Sequence, residues 1–258
     1  MEPKDLLELP QRERYEKLAE HNLFVCREEL NRIKQAIVEG RLWEHLEVRA
    51  RSHPSMAQAL KKVIKYVKHL EKGTPIAKPK GLLFVSRESI YRPEVYRHLK
   101  RLFNRYRRPL ARDVLLLIPE PSRRPYNRSK WVKNILKGIE RKRLDRVHVV
   151  VYAPPLDLVP IELCETYPLS QHECSQGLKV VWRNRVLRSM LKYASNQGYS
   201  AVFIVPNPPI LDEKRAGLLC QWMVDRGIRA EVVNVEPERE HEKLIEYLSS
   251  RLGEAVGR

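Results

Sequence analysis

The chain has 258 residues, 43% of them hydrophobic, which is enough for one large globular domain or for a domain with a helical appendage. No apolar run approaches the roughly 20 residues of a membrane span, and the opening MEPKDLLELPQRER lacks the apolar centre of a secretory signal. The net charge of +17 points to a polyanionic partner, most simply nucleic acid, because a merely thermophile-like surface rich in Lys, Arg and Glu would balance its signs. In chain order, residues 3–18 read as a short helix. Residues 22–38 carry Leu23, Cys26, Leu30, Ile33 and Ile37 at helical spacing, and Gly40 ends that helix. A further helix starts at Leu42-Trp43, His53-Pro54-Ser55 breaks the pattern, and 55–70 forms another helical stripe. The segment 71–80 (EKGTPIAKPK) reads as a linker.

Beyond the linker the period changes. Short apolar runs at 81–85, 114–118, 147–152, 201–205 and 230–235 read as strands. Helices are predicted at 93–106, 129–142, 183–197, 214–226 and 238–252, and 153–182 as a long irregular stretch. Strands that are apolar throughout, rather than alternating, are buried on both faces. The prediction is therefore an α/β domain at 81–258, a three-layer sandwich with a mainly parallel sheet of about five strands, preceded by a helical segment at 1–70. In such sheets ligands sit beyond the carboxyl ends of the strands, at the loops 86–92, 119–128, 153–182, 206–213 and 235–237.

The loop PEPSRRPYNRSKW at 119–131 leads from a strand into a helix. Asn127 or Ser129 is suited to cap that helix, whose free N–H groups favour an anion. Arg123, Arg124 and Arg128 add guanidinium forks for phosphate, and Tyr126 offers a face for a base. With Pro125 and Ser129, these residues form a candidate nucleotide or phosphate site; the bland alternative is a capped turn with solvated arginines. Two basic stretches follow the same logic. Arg101, Arg105 and Arg108 lie on and after one helix, and Lys130, Lys133, Lys137 and Arg141 share a face of the next. They read as a surface that tracks the backbone of folded tRNA by shape. The four cysteines, Cys26, Cys164, Cys174 and Cys220, form no C-x-x-C pair and are read as reduced thiols of a cytoplasmic protein.

Two resemblances sharpen this reading. The DLLELP run at 5–10, with His21-Asn22-Leu23 and the stretch to Pro54, resembles the C-terminal end of the catalytic domain of archaeal tRNA-guanine transglycosylases. In that family a cysteine cluster precedes the HNL triplet and binds zinc with its histidine. Here no cysteine precedes His21, and the chain begins where the family's barrel is nearly finished. The resemblance implies that the catalytic barrel, the zinc cysteines and the C-terminal PUA domain are absent. His21 then either packs or caps its helix, or completes a zinc site in trans with a separate transglycosylase chain. No other cofactor is expected.

The 119–132 loop resembles the signature of archaeosine synthase: Pro-Cys, three residues, Lys-Pro-Tyr, two residues, Ser, two residues, His. Pro119, Pro125, Tyr126 and Ser129 match, and Arg124 stands for the Lys. Glu120 replaces the cysteine and Val132 the histidine. A second match, LVPIEL at 158–163 followed by Tyr167-Pro168, carries Asp157, Glu162 and Glu165, with His172-Glu173-Cys174 close behind. These read either as an acid/base lid or as a structural crossover. The resemblance implies a uracil-DNA-glycosylase-like architecture for 81–258. It also implies a tRNA-binding accessory protein of archaeosine formation, the non-catalytic part of a split transglycosylase or synthase, with tRNA and a catalytic chain as partners. Two alternatives remain open: a diverged synthase-like enzyme acting on a deazaguanine base, with Glu120, Tyr126 and Ser129 as catalytic candidates, or a general binder of structured RNA.

Overall fold

The computed structural model describes residues 4–236 and 238–253; of the expected C-terminal tail, 254–258 lie outside the described residues. A short helix α1 (Asp5–Glu8) leads into α2 (Gln11–Val38), followed by α3 (Leu42–Ala50), α4 (Pro54–Ile64) and α5 (Val67–Gly73). The two helices expected at 3–18 and 22–38 are thus one. No Gly or Pro interrupts AEHN at 19–22, and the pairs Arg12–Glu16 and Lys17–Glu20 bridge successive turns just before it. Gly40 closes α2 at φ +70°, a left-handed position that glycine occupies without strain. The single stripe expected at 55–70 divides into α4 and α5. No helix among the described residues is long and apolar enough to cross a membrane.

The remaining elements are β1 (Leu82–Phe84), α6 (Pro93–Asn104), β2 (Val114–Pro119), α7 (Lys130–Arg141), β3 (Val147–Ala153), β4 (Asp157–Pro160), β5 (His172–Cys174), α8 (Gln176–Val181), α9 (Arg183–Gln197), β6 (Ala201–Ile204), α10 (Glu213–Val224), β7 (Arg229–Val232) and α11 (His241–Gly253). The main sheet runs β4-β3-β2-β6-β7, with β4 antiparallel and all other pairings parallel. A five-stranded, mainly parallel sheet between two helical layers is what the sequence predicts, but one strand is exchanged. The apolar run at 81–85 lies outside this sheet and pairs with β5 in a separate two-stranded parallel ribbon. The fifth strand is β4, from the stretch expected to be irregular. It reverses direction beyond Pro154-Pro155, and Asp157 takes a left-handed φ of 62° at its start. Gly81 serves the ribbon: a Cβ there would stand 2.9 Å from the carbonyl oxygen of Gln171.

All six residues of β2 and all seven of β3 are buried, which is why they read as unbroken apolar runs. Leu116, Ile118, Val149 and Val151 face Trp131, Val132 and Ile135 of α7 and Leu244, Ile245 and Leu248 of α11. Leu115, Leu117, Val150 and Tyr152 face Val186, Met190 and Tyr193 of α9 and Leu219 and Met223 of α10. Each such aliphatic side chain contributes about 1.5–3 kcal/mol on burial. Gly138 lets α7 and α11 approach, since a Cβ there would lie 2.7 Å from Ile245 Cγ1. Gly138→Ala is therefore expected to destabilise the fold by about 1–3 kcal/mol, read as a lower denaturant midpoint at unchanged m-value.

The helical segment is locked to the α/β domain through charge. Arg92 is wholly buried, 3.0 Å from Glu44 of α3 and 3.3 Å from Glu94 of α6, and it also donates to the Leu83 carbonyl of β1. Lys78 pairs with Glu94. Glu47 accepts from Trp43 Nε1 (2.6 Å) and the Ser89 hydroxyl (2.8 Å), while burial holds its carboxyl above the ordinary range. The stretch expected as a linker is pinned to α6, because the Arg97 guanidinium donates to the Glu71 carboxylate and to the carbonyls of Glu71, Thr74 and Pro75.

Candidate functional site

From β2 the chain runs to β3 on one side of the sheet, whereas the other neighbour of β2 is β6, which leads outward to β7. The crossovers diverge between β2 and β6, and the loop leaving the end of β2 borders that point. Its first residue, Glu120, is the centre of a buried charged cluster. The carboxylate accepts from Arg124, lies 2.7 Å from Lys179 Nζ of α8, and receives the Tyr126 hydroxyl at 3.1 Å. Burial pushes this carboxyl up, but the neighbouring His172, Arg124 and Lys179 outweigh burial and hold it at about 2. Burial lowers the proton affinity of His172 of β5, and the nearby Glu120 carboxylate opposes that effect. The His172 Nε2 lies 3.1 Å from Arg124 Nε and 3.5 Å from the Glu120 carboxylate. The ring stands edge-on to both Tyr126 and Phe84. Cys174, at the end of β5, has its thiol pushed up to about 11 by burial. One carboxylate faces the two cations Arg124 and Lys179, so positive charge is in surplus here.

The sequence-predicted residues divide sharply. Glu120, Arg124 and Tyr126 come together as expected, yet they turn inward. Tyr126 is fully buried, so its ring gives no exposed face for a base, and burial raises its phenol well above the ordinary value. Pro125 is half-buried. Ser129 is buried and occupies the N-cap of α7, but its hydroxyl makes no capping bond, and Asn127 donates instead to Glu165. Arg123 is exposed and Arg128 lies 3.8 Å from Glu165. Val132 packs in the core. As a catalytic candidate Glu120 is a poor base, since a carboxylate held ionised by two cations has little affinity for a proton at neutral pH. Lys179 escaped sequence reasoning because it sits in an apolar-looking QGLKVVW run, about 60 residues from its partner. The only sequence cue was the His172-Glu173-Cys174 triplet a few residues before it.

The candidate lid acids are each engaged. Asp157 is buried against Arg185 (2.7 Å) and the Ser189 hydroxyl (2.7 Å). Glu162 bonds His148 at 3.2 Å and receives the Tyr106 hydroxyl, and Glu165 meets Asn127. These contacts fit the crossover reading.

Of the basic candidates, Arg101, Arg105, Lys130, Lys133, Lys137 and Arg141 are exposed. Arg108 is not available to phosphate as expected. Its guanidinium donates to the carbonyls of Gln197, Gly198 and Leu110 and sits over the Tyr199 ring, closing the C-terminal end of α9. His21 is exposed midway along α2, and no group of three or more His, Cys, Asp or Glu among the described residues is arranged to hold a metal ion.

Residues 95–205 match a family model described as a domain of unknown function, DUF5591, which spans α6 to the end of β6 and so contains the Glu120 cluster. Over 172 residues the chain is 41% identical to the tRNA-guanine(15) transglycosylase of Pyrobaculum aerophilum. Over those residues the chain is similar to an archaeal tRNA-guanine transglycosylase. That match covers 66% of this chain and 33% of the relative. Other transglycosylases of the family, from Methanobrevibacter smithii (39% identity) and Methanocaldococcus jannaschii (40%), are matched over 66% of this chain and 26% and 24% of their own lengths. The chain thus spans a third or less of the curated transglycosylases it matches. Among solved structures, that of AF0587, a protein of unknown function, aligns over 62% of this chain and 49% of its own at 16% identity, with a TM-score of 0.36.

Proposed function

We propose that this chain is a tRNA-binding accessory protein of tRNA modification, the non-catalytic part of a split transglycosylase or synthase of archaeosine formation. The observation that carries this reading is the outer face of α7. Lys130, Lys133, Lys137 and Arg141 lie three or four residues apart, are exposed, and make no ion pair among the described residues. Uncompensated cations in a row along a rigid helix suit a phosphate backbone, where contact releases counterions and binding weakens steeply with salt. The stripe falls within the stretch shared with the family model, and the relatives are named for action on tRNA. The state of Glu120 supports a non-catalytic role, because the position aligned with a synthase thiol holds a carboxylate tied to Arg124 and Lys179. A separate catalytic chain is the partner we infer, supported by Leu23, Phe24, Leu30 and Ile37, which stand exposed along α2.

The test is tRNA binding across a salt series. The double variant Lys133→Glu/Lys137→Glu is expected to bind about tenfold or more weakly and to flatten the slope of log affinity against log salt by roughly 2. A wild-type protein without affinity for tRNA at low salt, or a variant that keeps both affinity and slope, would end the proposal.

A further inference from the structure

A second feature lies apart from the Glu120 cluster. Between α6 and the turn at 163–169 runs a groove of about 520 Å³, within the roughly 300–1,000 Å³ typical of small-molecule sites. We propose that this groove seats a single unstacked nucleotide of a bound RNA, with the base inward and the phosphate at the mouth. This deepens the RNA-binding reading above and rests on it.

Two observations meet here. The interior is lined largely by Leu102, Leu163, Pro168 and Leu169, an apolar slot suited to a flat ring removed from its stack. Its mouth carries Arg101 and Arg105, one helical turn apart on the same face of α6. Both are exposed, and neither makes an ion pair or a side-chain hydrogen bond among the described residues, so two guanidinium forks are available to one phosphate. Arg97, a turn earlier, differs: its donors are consumed by the 71–75 segment, and it stiffens the wall rather than reaching outward. The Tyr167 phenol oxygen is sealed from solvent and lies near the buried charges of Arg92, Glu94 and Glu44, so it does not line the slot. A purely apolar ligand would leave the paired arginines unused.

The test follows methyl NMR signals of Leu102, Leu163 and Leu169 during titration with the four 5′-nucleoside monophosphates and, separately, inorganic phosphate. At least one monophosphate is expected to shift these methyls while phosphate alone does not, and Arg101→Glu/Arg105→Glu is expected to abolish the shifts. Thr166→Trp, which crowds the groove from its exposed turn and leaves charge untouched, is expected to lower tRNA affinity about threefold to tenfold at an unchanged salt slope. Groove methyls unmoved by every monophosphate would overturn the assignment while leaving tRNA binding by α7 intact. Shifts accompanied by wild-type tRNA affinity in Thr166→Trp would also overturn it, because the groove would then serve a free nucleotide. Loss of the RNA-binding reading itself would show separately, as wild-type protein that fails to bind tRNA at low salt.

Discussion

Arg92→Ala is expected to lower the free energy of unfolding by about 3–5 kcal/mol, since it removes one partner from a buried set of charges. Glu94 keeps Lys78 after the change. Glu44 does not have that protection: its remaining contact at this point is the Leu83 backbone N–H at 3.2 Å, and its charge is left nearly uncompensated beside β1. The loss should therefore appear first where α3 meets the β1–β5 ribbon. Hydrogen exchange is expected to show deprotection of Leu83 and of the ribbon, with β2 and β3 unaffected. Placing Glu44→Gln in the Arg92→Ala background is expected to restore part of the stability, because it removes the stranded charge. Equal stability of wild type and Arg92→Ala in urea would show that the helical segment and the α/β domain are not held together by this contact.

The second large effect is at Glu120. Glu120→Gln leaves Arg124 and Lys179 buried without their carboxylate and is expected to cost about 3–5 kcal/mol. The pH dependence has a defined sign. Held at about 2 against an ordinary 4.5, the folded-state carboxyl binds its proton less readily than the unfolded one. Its contribution of about 3 kcal/mol is present in full above the ordinary value and is lost as pH falls from there through about 2. The stability gap between wild type and Glu120→Gln is thus expected to be widest at neutral pH and to narrow progressively below about pH 4.5. Urea titrations of both proteins along a pH series measure this. A gap independent of pH would mean that Glu120 is not held ionised by its neighbours. Removing the opposing charge as well, in Glu120→Gln/Lys179→Met, is expected to recover part of the loss.

The parts of this fold that could be read in advance are those where burial acts on consecutive residues. VLLLIP at β2 and, but for His148, VHVVVYA at β3 are apolar because both faces of each strand are covered, and that needs no knowledge of the partner. The α7 stripe was legible for the opposite reason, since solvent leaves Lys130, Lys133 and Lys137 at helical spacing. The contributions of β4 and β5 were not legible. Each is three or four residues long and begins on a polar residue, Asp157 or His172, and β5 is stabilised by pairing with β1, far away in sequence. The site was legible as a place but not as a state. Arg124 and Tyr126 stand in a polar, proline-rich loop, where local pattern implies exposure. Their burial depends on His172 of β5 and Lys179 of α8, which lie some 50 residues further along the chain. Arg92 follows the same rule: SRESIYRPE looks like surface, and only Glu44, nearly 50 residues earlier, makes it interior.

The margins of the main sheet have a consequence for how copies of this molecule behave when crowded. The outer strand β4 ends in Pro160, which has no N–H to offer, and His98 Nε2 lies 3.0 Å from the carbonyls of both Leu156 and Leu158, so that rim is already occupied from within the chain. At the opposite rim, β7 carries Arg229 and Glu231, bound to each other at 2.8 Å, and a visiting strand would have to strip water from both. Neither border invites strand-to-strand polymerisation.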